Sequence, residues 1–182
     1  MVRVHEDGLA RCGWLNDDAL YVDYHDKEWG TPLSGDVAMF ERLSLEGFQA
    51  GLSWLTILKR REGFRQAFHG FEIERVATMT PKDVDRLLQF EGIIRHRGKI
   101  ESTIKNANLA LEIDGGLEKF VLNFAPTEDR RGLTLSPEST ALSKALRKLG
   151  FGFVGPTTMH ALMQATGMIE DHSPGCFKTA LS

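Results

Sequence analysis

The sequence predicts an all-α protein, and three observations carry that reading. Apolar residues recur at helical spacing, residues suited to start or stop a helix bracket those runs, and no segment alternates apolar and polar residues long enough for a strand. At 182 residues, 42% of them apolar, the chain suits a single domain over residues 1–182 with a core that needs no disulfide framework.

The elements follow in order. SGDVAMFERLSLEGF offers Ser34 or Asp36 as a cap and then Val37, Phe40 and Leu43 at helical spacing before Gly47. SWLTILKRREGFRQAF restarts a helix behind Ser53. TPKDVDRLLQF has Thr80 as cap, Pro81 at the first helical position, where its missing N–H is not needed, and Asp83 three residues past the cap. RGKIESTIKNANLALEI repeats Ile100, Ile104, Ala107 and Leu111 and stops before Gly115 and Gly116. SPESTALSKALRKLG runs from Ser136 or Ser139 to Gly150, and GPTTMHALMQATG from Pro156 to Gly167. This amounts to roughly seven to nine short helices joined by short loops. DGGLEKFVLNFAPTEDRRGLTLSPES is the least regular stretch and is expected to be a variable connection.

The net charge of −3 argues mildly against a nucleic-acid partner, because affinity for phosphates rests on Lys and Arg. Charge is unevenly spread, however. Residues 17 to 28 carry Asp17, Asp18, Asp23, Asp26 and Glu28 against Lys27 alone, whereas KRREGFR and RHRGK are basic. Taken alone, each basic run reads as a solvated helix face. No apolar run approaches membrane-spanning length and the first residues do not resemble a signal peptide, so a cytoplasmic protein without a membrane partner is expected.

The chain has two cysteines, and each lies near a histidine: Cys12 with His25, and Cys176 with His172. Zinc takes four ligands in a tetrahedron, usually Cys thiolate and His imidazole. His172 and Cys176 flank Ser173–Pro174–Gly175, a bend able to turn both side chains to one side. Four protein ligands would leave no open position, so such a zinc would be structural and would pin the chain ends together. Spacing alone leaves this level with the alternative that both cysteines are ordinary buried residues.

Trp14, Tyr21, Tyr24 and Trp29 surround the first pair, and LEGFQAGLSW adds Glu46 and Trp54. Tyr21 and Tyr24 fall on one helical face, with polar tips that need partners. Glu46 ends an otherwise apolar helix, either as a solvated charge or as the partner of a cation in an aromatic pocket.

RCGW, LYVDYHDKEWG, LEGFQAGLSW, ILKRRE, GIIRHRGKI, GFGFVGPTT and MQATG…DHSPGC, in this order, resemble the bacterial 3-methyladenine DNA glycosylase I family from about Arg11 to Cys176. The resemblance implies a helix-hairpin-helix glycosylase fold with one structural zinc per chain, held by Cys12, His25, His172 and Cys176. It implies that the chain ends form a zinc-pinned lobe and that residues of about 35–112 form the rest. Glu46 would be the catalytic carboxylate and Tyr21, Tyr24 and Trp54 the base pocket. The turn of Gln49, Gly51 and Leu52 would enter the duplex, and Arg97 and Lys99 would hold phosphate.

The activity implied is monofunctional hydrolysis of the N-glycosidic bond of 3-methyladenine in double-stranded DNA, by a monomer. The alternative is a zinc-stabilised module that binds alkylation damage without cutting; a zinc hydrolase is disfavoured because four ligands fill the metal. Asp114 reads as a helix terminator rather than the water-activating aspartate of other helix-hairpin-helix glycosylases. His160 and Phe48 depart from the residue types the resemblance leads one to expect.

Overall fold

A computed structural model describes residues 1–180. It is helical, with ten α-helices among the described residues. They are α1 (Ala19–Lys27), α2 (Asp36–Gln49), α3 (Trp54–Leu58), α4 (Arg61–Ala67) and α5 (Ile73–Ala77). Then come α6 (Pro81–Leu87), α7 (Arg97–Leu111), α8 (Leu117–Leu122), α9 (Pro137–Leu149) and α10 (Pro156–Ala165). No helix among the described residues is long and apolar enough to cross a membrane.

Local chemistry explains most boundaries. Thr80 and Asp83 form a reciprocal capping box ahead of Pro81, as the sequence suggests. Ser136 caps α9 with Ser139 as its reciprocal partner, so the two candidate caps act together. Gly150 ends that helix in the left-handed region at φ 100°. The segment behind Ser53 breaks into α3 and α4 around Lys59 and Arg60.

Two expectations need correction. A small antiparallel pair, β1 (Val2–Val4) and β2 (Ala10–Cys12), sets Val2 opposite Cys12 and Val4 opposite Ala10. Strands of three residues are too short for alternation to be legible. The stretch expected to be irregular contains α8, whose start is stabilised from elsewhere. Asp36 accepts the Glu118 N–H at 2.8 Å, and the Glu118 carboxylate accepts the Gly35 N–H at 3.0 Å. Two helix starts thus cap each other across the fold, and neither Ser34 nor Asp36 caps its own helix.

The core is built around α2, which is buried from Met39 to Phe48 except at Glu41. Phe48 packs on Phe64, with ring centroids 4.6 Å apart, so this departure from the expected residue type fills the core. A second, smaller cluster of Cys12, Leu15 and Cys176 joins the chain ends. The Gly30 N–H donates to the Ala165 carbonyl at 3.2 Å, tying the turn after α1 to the end of α10.

Candidate functional site

Helices α1, α2, α3 and α10 frame a cavity of about 210 Å³. Its aromatic walls are Trp14, Tyr21, Tyr24, Trp29 and Trp54, and Glu46 and Gln49 of α2 line it beside Gln164 and Asp171. The Asp18 side chain caps α1 by accepting the Leu20 N–H, which sets the face that carries Tyr21 and Tyr24. Ser53 caps α3, so Trp54 leaves the first helical position with its ring 5.4 Å from that of Tyr24. Trp14 lies 5.1 Å from Tyr21 and 5.0 Å from Trp29, centroid to centroid.

Glu46 is 4% exposed. Burial raises its carboxyl to about 7, with the Arg42 charge acting in the opposite direction, and no hydrogen bond to the protein relieves it. The Trp54 indole N–H is likewise buried without a partner. A buried polar group left unpaired is costly, and sites that bind a ligand are where such groups collect. Arg42, also buried, donates from Nη1 to the Tyr24 hydroxyl oxygen at 2.6 Å. Its guanidinium carbon lies 5.3 Å from the ring centroids of both Tyr24 and Trp54.

The turn after α2 borders the cavity. Gly51 takes φ 82°, a conformation that favours glycine, and brings an exposed Leu52 to the surface. An adjoining hollow lined by Gln49, Gly51, Leu52, Thr157 and Thr158 shares Glu46, Gln49 and Ala161 with the main cavity.

Arg97 opens α7 on the surface and pairs with Asp85 at 2.6 Å and Glu101 at 3.3 Å. Lys99 requires a correction. Its ammonium is buried and donates to the carbonyls of Phe48 at 2.8 Å and Ala50 at 2.7 Å. Those carbonyls, at the end of α2, have no helical partners of their own. Lys99 therefore braces the turn beside the cavity instead of facing a phosphate. The other basic run is largely engaged by acids: Lys59 pairs with Asp18, Arg61 with Glu28 and Arg65 with Glu41.

At the chain ends, one ligand atom each from Cys12, His25 and Cys176 lies within 4.8 Å of the others, and all three residues are buried. His172 lies beside this group, its ring centroid 5.3 Å from that of His25. Each histidine engages a carboxylate through Nδ1, His25 with Asp26 at 2.8 Å and His172 with Glu170 at 2.9 Å. Of the other ring nitrogens, His25 Nε2 lies 3.5 Å from Cys176 Sγ, and His172 Nε2 is buried without a partner among the described residues. Gly30 makes room for the His172 ring, since a Cβ there would sit 2.7 Å from Cε1. Two thiols, two carboxylate-braced imidazoles and an orphaned buried nitrogen fit a zinc ion.

Trp14, Trp29, Arg42, Gln164 and Asp171 belong to this region although the sequence reading gives none of them a role. Arg42 lies one turn before Glu46 in the same helix, beside Glu41, where a charge reads as surface. His160 is buried, burial lowers its basicity, and it is not among the residues that line the cavity. Asp114 lines a separate hollow with Leu109, Ile113 and Phe120.

The sequence model of the methyladenine glycosylase family matches residues 14–179. The chain is 48% identical to DNA-3-methyladenine glycosylase 1 of Escherichia coli K12 over 92% of this chain and 96% of that protein. A crystal structure of a 3-methyladenine DNA glycosylase I superposes with a TM-score of 0.88 at 46% identity, over 92% of this chain and 98% of the other. The corresponding enzyme of Staphylococcus aureus, whose structure describes how it recognises 3-methyladenine, gives 0.87 at 38% identity, over 92% and 95%. With the family model spanning nearly its whole length, the chain belongs to the methyladenine glycosylase family.

Proposed function

We propose that this protein hydrolyses the N-glycosidic bond of 3-methyladenine in double-stranded DNA, releasing the free base and leaving an abasic site. The observation that carries the reading is the aromatic cavity lined by a buried Glu46 that no protein group hydrogen-bonds. The relatives named for this activity support it.

A base stacked in a duplex is out of reach, so it is extruded into the cavity at a cost of about a few kcal/mol. Adenine methylated at N3 is cationic in DNA. Tyr24 and Trp54 attract that charge through their ring faces, worth roughly 1–2 kcal/mol when desolvated. Ionised Glu46 accepts a hydrogen bond from the exocyclic amine. The arriving cation favours the ionised carboxylate that burial disfavours, whereas neutral adenine brings no such compensation. Selectivity then comes from differential binding.

In the chemical step, water oxygen bonds to the anomeric carbon as the glycosidic bond breaks. The bonding pair stays on the base, which departs neutral, and the proton lost by water passes to solvent. A neutral leaving group lowers the demand on the enzyme, and the cavity contains no lysine for a Schiff base. The turn of Gln49, Gly51 and Leu52 supports entry into the gap left in the duplex, and Arg97 offers a surface charge to phosphate.

Cys12, His25, His172 and Cys176 would hold one zinc, which when bound supplies a structural crosslink between the chain ends. The test is incubation of wild-type protein with methylated duplex DNA and chromatography of the free bases. Release of 3-methyladenine is expected; DNA binding with no base released would leave a damage-binding module.

A further inference from the structure

Arg42 lies behind the cavity wall, in contact with the groups that line it. It is 6% exposed, in the buried stretch of α2, four residues before Glu46. Such a buried guanidinium needs partners, and it finds them on three sides. Nη1 donates to Tyr24 Oη at 2.6 Å, and the guanidinium carbon sits 5.3 Å from the rings of Tyr24 and Trp54. Nη2 lies 3.7 Å from Glu28, which is itself fixed by Arg61, whose Nη2 donates to it at 2.9 Å.

We propose that Arg42 is a positioning residue of the base pocket, which fixes the direction of the Tyr24 hydroxyl proton and lowers the cost of a negative charge on Glu46. The first part follows from donor chemistry. A guanidinium only donates, so Tyr24 Oη is its acceptor, and the phenol proton must be given elsewhere. Tyr24 lines the cavity and has no second hydrogen-bond partner among the described residues, which leaves a bound base to receive that proton. The second part follows from Coulomb's law inside a site with little water. A cation one helical turn from a buried carboxylate opposes the effect of burial, and Arg42 is the one charge found to do so at Glu46.

The remaining groups around Glu46 do not supply that charge. Tyr21 and Tyr24 come from α1, with Glu28 just beyond its end, and Asp171 lies on the cavity wall. Trp54 of α3 and Gln164 of α10 are uncharged, and Lys99 of α7 gives its ammonium to the Phe48 and Ala50 carbonyls.

This inference rests on the proposed reading of the cavity, so its test has a readout that needs no substrate. The Glu46 side-chain carboxyl is titrated by carbon NMR in wild type, R42Q and R42K, with E46Q identifying the resonance. The pH profile of base release is recorded in parallel. In R42Q the Glu46 midpoint and the acid limb of the profile both move up by about one pH unit. In R42K, which keeps the charge but not the planar fork, both stay where wild type has them while the rate falls at every pH. R42M is a second neutral variant and shares the R42Q expectation, should R42Q fail to fold. An unmoved midpoint in the neutral variants, or the same upward move in R42K, would overturn the proposal. If wild type released no base, the function would fall, and the carboxyl titration would still decide whether Arg42 favours the charged form of Glu46.

Discussion

The Cys/His corner and the aromatic cavity share Trp14 and Trp29, which touch both, yet they treat buried polar groups in opposite ways. In the corner, each histidine is braced through Nδ1 by a neighbouring carboxylate. In the cavity, Glu46 receives no hydrogen bond from the described residues, and burial raises its carboxyl to about 7. Tyr24 and His25, adjacent in α1, belong to the two designs in turn. On the proposed reading, a metal completes the corner once and is kept, whereas a ligand that brings a charge completes the cavity transiently.

Substitutions in the two regions should therefore move stability in opposite directions. The largest effect is expected from C176S, which removes one ligand from the corner. Bound zinc should fall well below one per chain, and denaturant unfolding should show a loss of more than about 4 kcal/mol. Full retention of zinc and stability would remove the corner's metal role.

E46Q should instead stabilise the protein. The Glu46 carboxyl is raised in the fold from its ordinary 4.5 to about 7, so the folded state prefers it protonated. That preference contributes fully below about pH 4.5 and is lost as pH rises through 7. The variant should match wild type at low pH and exceed it at pH 8.5 by roughly 3 kcal/mol. Thermal unfolding at the two pH values reads this directly, and equal midpoints at pH 8.5 would contradict it.

The smallest contrast lies just outside both regions. K99M should lower stability by about 1–3 kcal/mol, because two carbonyls at the end of α2 lose their donor, and should leave the salt dependence of DNA binding unchanged. R97Q should barely affect stability, since exposed ion pairs contribute little, but should reduce the salt slope by about one. A reduced slope in K99M would return Lys99 to the phosphate contacts.

Much of this was legible where chemistry is local. Thr80 and Asp83, or Gly150, announce helix ends because the cap and the capped groups are neighbours in sequence. Glu46 between Leu45 and Gly47 was visible as a charge out of place, and the two Cys–His pairs as a donor set. Features that depend on distant partners were not. Helix α8 is capped by Asp36, 82 residues away, and Lys99 is bonded 49 and 51 residues away. The buried face of α7 sets Lys99, Thr103 and Asn106 beside Ile100, Ala107 and Ala110, and in sequence the three polar residues look solvated. Arg42 escaped notice for a related reason: its role depends on Tyr24 and Glu28 meeting it from another helix and its trailing turn.

The central claim is that Glu46 reads the charge of a base released by this protein. It is tested most directly by comparing wild type and E46Q for release of 3-methyladenine from methylated duplex DNA, both folded and loaded with zinc. Release by wild type and a loss of about a hundredfold or more in E46Q are expected, the scale of one charged contact in a dry site. Equal release by the two proteins would contradict it.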